Sequence, residues 1–311
     1  MRSRNRRSGK KKNEKPITNC IPIRGVSMEK PWHGLQAKKP WDYKVTAVIP
    51  HLDTSELLET NIQLLQLQTL RPYIVIVDTG SRPHHAGILE EIENTYEGVE
   101  VHRLRFQGVI HPSDPVAIAM DLAQAACCTE FLYATHADCF LKRRDYLEGL
   151  LADMTRAGTP VAGYRITPRT GIPDADNWIG HTSSMFDVRF LDIHGIGWSQ
   201  RRLCNISRMD HFGNNRCNGY PDTEFLLNVQ IDRLERNFRM EVEGDEYATH
   251  TPLRHFIGSE ENFETTDDGN LTHVRSYASA KLYSPSHSKK CARDMEKALK
   301  EAQERIVEWT S

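Results

Sequence analysis

The chain has 311 residues, is 39% hydrophobic and 26% charged, and carries a formal net charge of −2, a globular composition that excludes the disordered and fibrous classes. The charge is unevenly spread: residues 1–15 hold eight basic side chains (Arg2, Arg4, Arg6, Arg7, Lys10, Lys11, Lys12, Lys15) and one acid, Glu14, so a tail of +7 precedes a body of −9 with 32 basic and 41 acidic residues. A body of that sign excludes a protein that coats nucleic acid with its whole surface.

The seven cysteines are odd in number, two of them are adjacent (Cys127, Cys128) and none form a C-x-x-C pair. Neither a disulfide framework nor a zinc ribbon is indicated, and reduced, intracellular thiols are the simpler expectation. No apolar h-region follows the basic run, and no stretch approaches the roughly 18 apolar residues of a membrane span. The expectation is a cytoplasmic, untargeted protein with a disordered basic tail.

Residues 1–43 combine the basic run with Pro16, Pro22, Pro31 and Pro40 and read as tail plus irregular lead-in, with Trp32, Trp41 and Tyr43 pinning its end to the body. Val45–Ile49 is a β-branched strand stopped by Pro50. Thr54-Ser55-Glu56 then opens a helix with Leu57, Leu58, Ile62 and Leu65 near one face, ended by Arg71-Pro72. Tyr73–Val77 is a second buried-type strand, so the three elements form a βαβ unit on a parallel sheet. The alternation continues with helix 88–96, strand 99–104, helix 115–128, strand 130–134 and helix 144–157. The second half is less regular: strand 161–166, a Pro/Gly/Asp loop over 167–179, strand 184–190, helix 222–236, short strand 239–242 and a charged amphipathic helix over 295–309. The domain expectation is a tail (1–43), one α/β domain over 44–285 with a nucleotide-binding half (44–157) and an acceptor half (158–285), and a C-terminal helix over 286–311.

Asp53, Asp78 and Asp138 each follow a predicted strand of one sheet, so three carboxylates are expected along its carboxyl edge, where ligands of doubly wound folds bind. Such carboxylates suit a ribose, a base N–H, or a divalent metal with phosphates. Neither G-x-G-x-x-G nor G-x-x-x-x-G-K-[ST] follows the first strand, which disfavours a dinucleotide fingerprint and a P-loop. Phosphate bound here would need a metal to neutralise it.

Val45-Thr-Ala-Val-Ile-Pro-His-Leu-Asp53, Leu65-Gln-Leu-Gln-Thr69 and Ile74-Val-Ile-Val-Asp-Thr-Gly-Ser81 together resemble the opening of family-two, GT-A-fold glycosyltransferases. His136-Ala-Asp138 stands where that family keeps its Asp-x-Asp metal motif, and Asp222-Thr-Glu224 is similar to the Glu-Asp element that supplies its catalytic base. The resemblance covers about residues 45–260. It implies a doubly wound, mostly parallel mixed sheet with helices on both faces, and inverting sugar transfer from a nucleotide diphosphate sugar, UDP-sugar favoured, with Mn2+ or Mg2+ on the diphosphate.

Carried over residue by residue, the resemblance places Pro50 and Asp53 at the nucleoside pocket, Asp78 on the base, and Asp121, His136 and Ala137 at the donor. Asp138 becomes a metal ligand with His136 and His255 beside it, His250 competing with His255, and Asp222 the base with Glu224 as the second choice. Thr79 replaces an expected second acid, and His136 an expected first acid, which leaves less negative charge at the metal. His136 is therefore either a ligand or a phosphate contact. Trp178, in the polar loop Asp174–His181, is expected to stack a sugar. Competing functions are a sugar-nucleotide nucleotidyltransferase, disfavoured because 50–55 holds no glycine, arginine or lysine, and a degenerate module that binds a partner through its tail. The acceptor is expected to be a glycan, with a hydroxylated nucleic-acid base as the minority choice; the tail suits anionic lipid headgroups or nucleic acid.

Overall fold

Apolar, β-branched runs make strands buried on both faces, and these occupy the centre of the molecule. The computed structural model describes residues 26–28, 42–106, 113–166, 178–199, 223–242, 252–260, 265–274 and 285–311. The first half contains β1 (Val26–Met28), β2 (Val45–His51), α1 (Ser55–Gln66), β3 (Tyr73–Asp78), α2 (Pro83–Thr95), β4 (Val99–Phe106), α3 (Ser113–Ala126), β5 (Phe131–Ala134), β6 (Cys139–Leu141) and α4 (Tyr146–Ala157). Then follow β7 (Val161–Ile166), β8 (Trp178–Ile179), β9 (Ser184–Asp187), α5 (Val188–Ile193), α6 (Phe225–Val242), β10 (Arg254–Glu260), β11 (Thr266–Asp267), β12 (Leu271–His273) and α7 (Pro285–Thr310).

The main sheet has the order β1-β4-β3-β2-β5-β9-β7-β10, with β8 paired to β7. Strands β4, β3, β2 and β5 are parallel, with Ala47 opposite Ile74 on one side and Tyr133 on the other. β9 runs antiparallel to both β5 and β7, and β10 runs parallel to β7. This is the doubly wound mixed sheet expected from the sequence. The chain leaves β2 in one direction toward β3 and β4 and returns to its other side as β5, so the strand order reverses between β2 and β5. The carboxyl ends of those two strands open the crevice in which such folds bind ligands. A separate small sheet, β11-β12-β6, lies beyond them.

Side-chain alternation divides the core between the two faces of the sheet. Ala47, Ile49, Ile74 and Ile76 pack with Leu58 and Ile62 of α1, Leu150 of α4 and Ala298 and Ala302 of α7. Val48, Val75 and Val77 face the other way, toward Ile118 and Ala123 of α3 and Leu227 and Ile231 of α6. Among the described residues no helix is long and apolar enough to cross a membrane.

Several elements differ from the expectation. The strand expected over 184–190 ends at Asp187, whose carboxylate accepts from the Phe190 N–H at 3.0 Å and so caps α5. Residues 239–242 continue α6, because Arg239, Met240 and Glu241 are good helix formers that extend a helix already anchored by Leu227 and Ile231. β1 lies inside the stretch expected to be irregular and pairs antiparallel with β4, Val26 opposite Phe106. Trp178 and Ile179, expected in a loop, pair with Ile166 and Arg165 of β7. The basic run lies outside the described residues.

Candidate active site

β5 ends at the point where the strand order reverses, and the Thr135 N–H donates to Val48 O at 3.0 Å, carrying the chain over the end of β2. The chain then turns, with the Cys139 N–H bonded to His136 O at 3.2 Å. Asn61, buried on α1, clamps that turn by donating through Nδ2 to His136 O at 3.1 Å and Cys139 O at 2.5 Å. His136 and Asp138 are thereby fixed on either side of buried Ala137. β12 pairs antiparallel with β6, which sets His273 opposite Cys139, and the Val274 N–H bonds to Asp138 O at 3.1 Å.

One ligand atom from each of His136, Asp138 and His273 lies within 4.8 Å of the others. The closest approaches are 3.6 Å from His273 Nε2 to Asp138 Oδ1 and 4.0 Å from His136 Nδ1 to the same oxygen. Atoms bound to one ion at about 2.1–2.2 Å stand roughly 3.0–4.4 Å apart, so the three fit a divalent cation. Two imidazoles and one carboxylate are also a donor set that divalent transition metals accept. Burial disfavours the His273 imidazolium, but Glu260 and Asp138 outweigh it and lift its pKa to about 9. Loading the site must therefore displace a proton from His273.

A second pair faces this cluster. His181 Nδ1 stands 2.7 Å from Glu224 Oε2, and the His181 ring lies 4.5 Å from that of His136, centroid to centroid. Buried Asn228 fixes both partners: its Oδ1 accepts from the Ile179 N–H at 2.8 Å, and its Nδ2 donates to Ile179 O at 2.9 Å and Glu224 O at 2.8 Å. The loop carrying His181 ends at Ser183, which holds φ +54°. The Ser183 hydroxyl lies 2.8 Å from the Tyr133 hydroxyl and 2.9 Å from that of Tyr146, and these contacts hold it in a left-handed conformation rare for residues other than glycine.

Asp53 and Asp78 form their own network at the ends of β2 and β3. Asp78 is fully buried, with Oδ1 at 3.1 Å from His51 Nδ1 and 2.5 Å from Ser81 Oγ, and Oδ2 at 3.4 Å from Arg103 Nε. Burial would raise its carboxyl, but the His51 and Ser81 hydrogen bonds hold it below the ordinary value. Asp53 takes φ +52° and accepts from both the N–H and Nε of Arg82 at 2.8 Å, tying the two strand ends together. Pro50 lies on β2 opposite Val77.

The other expected residues are placed elsewhere. Both Asp121 oxygens accept backbone N–H groups, from Trp198 at 2.8 Å and Ser199 at 2.9 Å, which anchors that segment to α3. Trp178 is 4% exposed, with its ring edge-on to Phe225 at 5.5 Å and no open face for stacking a sugar. His255 lies early on β10 opposite Ala162, outside the cluster that His136 and Asp138 form with His273. It precedes Glu260 by five strand residues, about 16 Å, and it is Glu260 that touches the cluster. Asp222 and His250 lie outside the described residues. Sequence reasoning missed His181, Glu260 and His273; the one local signal was polar Thr272-His273 set between Leu271 and Val274.

No protein-family model matches the sequence, and no curated protein matches it. Among solved structures, the chain is similar to TarS of S. aureus, at 14% identity over 50% of this chain and 30% of that one, with a TM-score of 0.38. It is similar to the mannosyltransferase PcManGT from Pyrobaculum calidifontis, determined with GDP-Man and Mn2+, at 14% identity over 70% and 72% of the two chains, TM-score 0.41. It is also similar to glucosyl-3-phosphoglycerate synthase from Mycobacterium tuberculosis with Mn2+, UDP-glucose and phosphoglyceric acid, at 12% identity over 83% and 80%, TM-score 0.45. The chain spans under a third of the length of the first of these, at 30%.

Proposed function

We propose that the protein transfers a sugar from a nucleotide diphosphate sugar, a UDP-sugar in the first instance, to an acceptor hydroxyl, with inversion at the anomeric carbon. The observation that carries this reading is the His136, Asp138 and His273 cluster at the carboxyl edge of the sheet, where the strand order reverses. Bound there, Mn2+ or Mg2+ would neutralise the diphosphate. The network that joins the ends of β2 and β3 through Asp53, Asp78 and Arg82 shapes the nucleoside side of the crevice.

Glu224 is the base in this reading. Its carboxylate takes the acceptor proton as the acceptor oxygen bonds to the anomeric carbon; the bond from that carbon to the diphosphate breaks, and the electron pair leaves with the diphosphate. A single displacement of this kind inverts the centre. Asp222, the first choice for the base by the resemblance, is the competitor. The acceptor we favour is a glycan hydroxyl, with residues 1–15 as an anchor to an anionic surface.

A screen of sugar nucleotides for hydrolysis with Mn2+ tests the proposal. Metal-dependent hydrolysis of at least one donor is expected, falling at least about 100-fold in Asp138→Ala. Hydrolysis that survives this substitution, or no donor bound at all, overturns it; absent UDP binding with Mn2+ favours a binding module instead.

A further inference from the structure

Glu260 ends β10 and is buried with 1% of its surface exposed, although a carboxylate in that setting is costly unless it is compensated. Its Oε1 lies 3.0 Å from Nδ1 of His273, whose other nitrogen, Nε2, lies 3.6 Å from Asp138 Oδ1. The two residues come from different sheets. Glu260 is held in register opposite Ile166 at the end of β7, and His273 by β12 opposite Cys139. No local turn brings them together, so the contact depends on the packing of the small sheet against the main one.

We propose that Glu260 is the positioning residue of the cation site: it holds His273 through Nδ1 and so turns Nε2, with its lone pair, toward the ion shared with Asp138 and His136. A carboxylate that accepts the N–H of a metal-bound imidazole fixes both the tautomer and the ring angle and makes the ligand more basic. Its negative charge also compensates for the acid that His136 replaces at the site. Glu260 itself is not among the residues whose ligand atoms converge, which separates its role from that of Asp138. The inference rests on the reading of His136, Asp138 and His273 as a cation site.

The test titrates the full chain with Mn2+ alone and follows free Mn2+ by electron paramagnetic resonance. Glu260→Ala is expected to weaken Mn2+ binding about 10- to 100-fold. Glu260→Gln keeps a carbonyl oxygen for the Nδ1 hydrogen bond and should lie between the two; it also serves if the alanine variant does not fold. Asp138→Ala should abolish binding at this site. Binding lost in Asp138→Ala but unchanged within twofold in both Glu260 variants overturns the role of Glu260 and leaves the cation site standing. Binding unchanged by Asp138→Ala overturns the cation site, and the role of Glu260 with it.

Discussion

His181 and Glu224 are joined at 2.7 Å, and the same His181 ring lies against that of His136, 4.5 Å between centroids. The group read as base is thus held by a histidine that also packs against His136. Glu224→Gln should lower kcat by about 10²- to 10⁴-fold with little change in the donor KM, the range typical of a lost general base. His181→Ala should cost less, about tenfold in kcat, with His181→Asn recovering part of it. Steady-state kinetics on the donor found by the hydrolysis screen give both values, and a Glu224→Gln enzyme with full kcat would move the assignment to Asp222.

Two imidazoles in the proposed three-residue ligand set would favour metals that accept nitrogen over Mg2+, which prefers oxygen. Activity with Mn2+ should exceed that with Mg2+ at equal concentration by tenfold or more. His136→Asp should narrow the gap by raising the Mg2+ rate. Removal of metal by a chelator should abolish transfer, and Mn2+ should restore it. An unchanged Mn2+ to Mg2+ ratio in His136→Asp would mean that His136 contacts the donor and not the ion.

The raised pKa of His273, about 9 against an unfolded value of 6.5, gives the metal-free protein a stability term of definite sign. A group held protonated by folding stabilises fully below pH 6.5 and loses that contribution as pH rises through about 9. Urea midpoints of the chelated protein should therefore fall over this window, and the fall should vanish in His273→Gln. Metal binding has the opposite dependence: apparent Mn2+ affinity should weaken as pH drops below 9, by up to about tenfold per unit, with close to one proton released per ion at pH 7. Calorimetry in buffers of different ionisation enthalpy reads that proton directly.

Gly163 lets β7 and β9 approach closely. A Cβ built there would collide with the Ser184 hydroxyl and sit 2.9 Å from its Cα. Gly163→Ala should destabilise the fold by about 1–3 kcal/mol, seen as a lower denaturant midpoint. Combining it with Ser184→Gly should recover part of the loss, since the hydroxyl and Cβ are removed while the backbone contact remains.

The parallel core was legible in the sequence because β2 and β3 are continuous apolar runs ended by Pro50 and Asp78, and α1 carries its leucines at helical spacing. Asp138 and His136 could be located because they directly follow such a strand. His273 could not be found in this way. His273 sits on a three-residue strand whose position depends on pairing with another three-residue strand, β6, and no period develops over so short a run. The resemblance pointed to His255, the second residue of a clear strand, whereas the residue of that strand in contact with His273 is Glu260 at its far end. Trp178 looked like a loop aromatic because Pro and Gly precede it, but β7 offered its edge and the ring became core.

The pairing of β12 with β6 also sets an order in time. His273 is made 135 residues after Asp138, so a ribosome must complete α4, β7 and β10 before the third member of the proposed ligand set exists. Until then the growing chain offers His136 and Asp138 of that set. On the proposed reading, a cation is held by all three residues only once β12 has paired with β6, so the small sheet and the ion site are completed together.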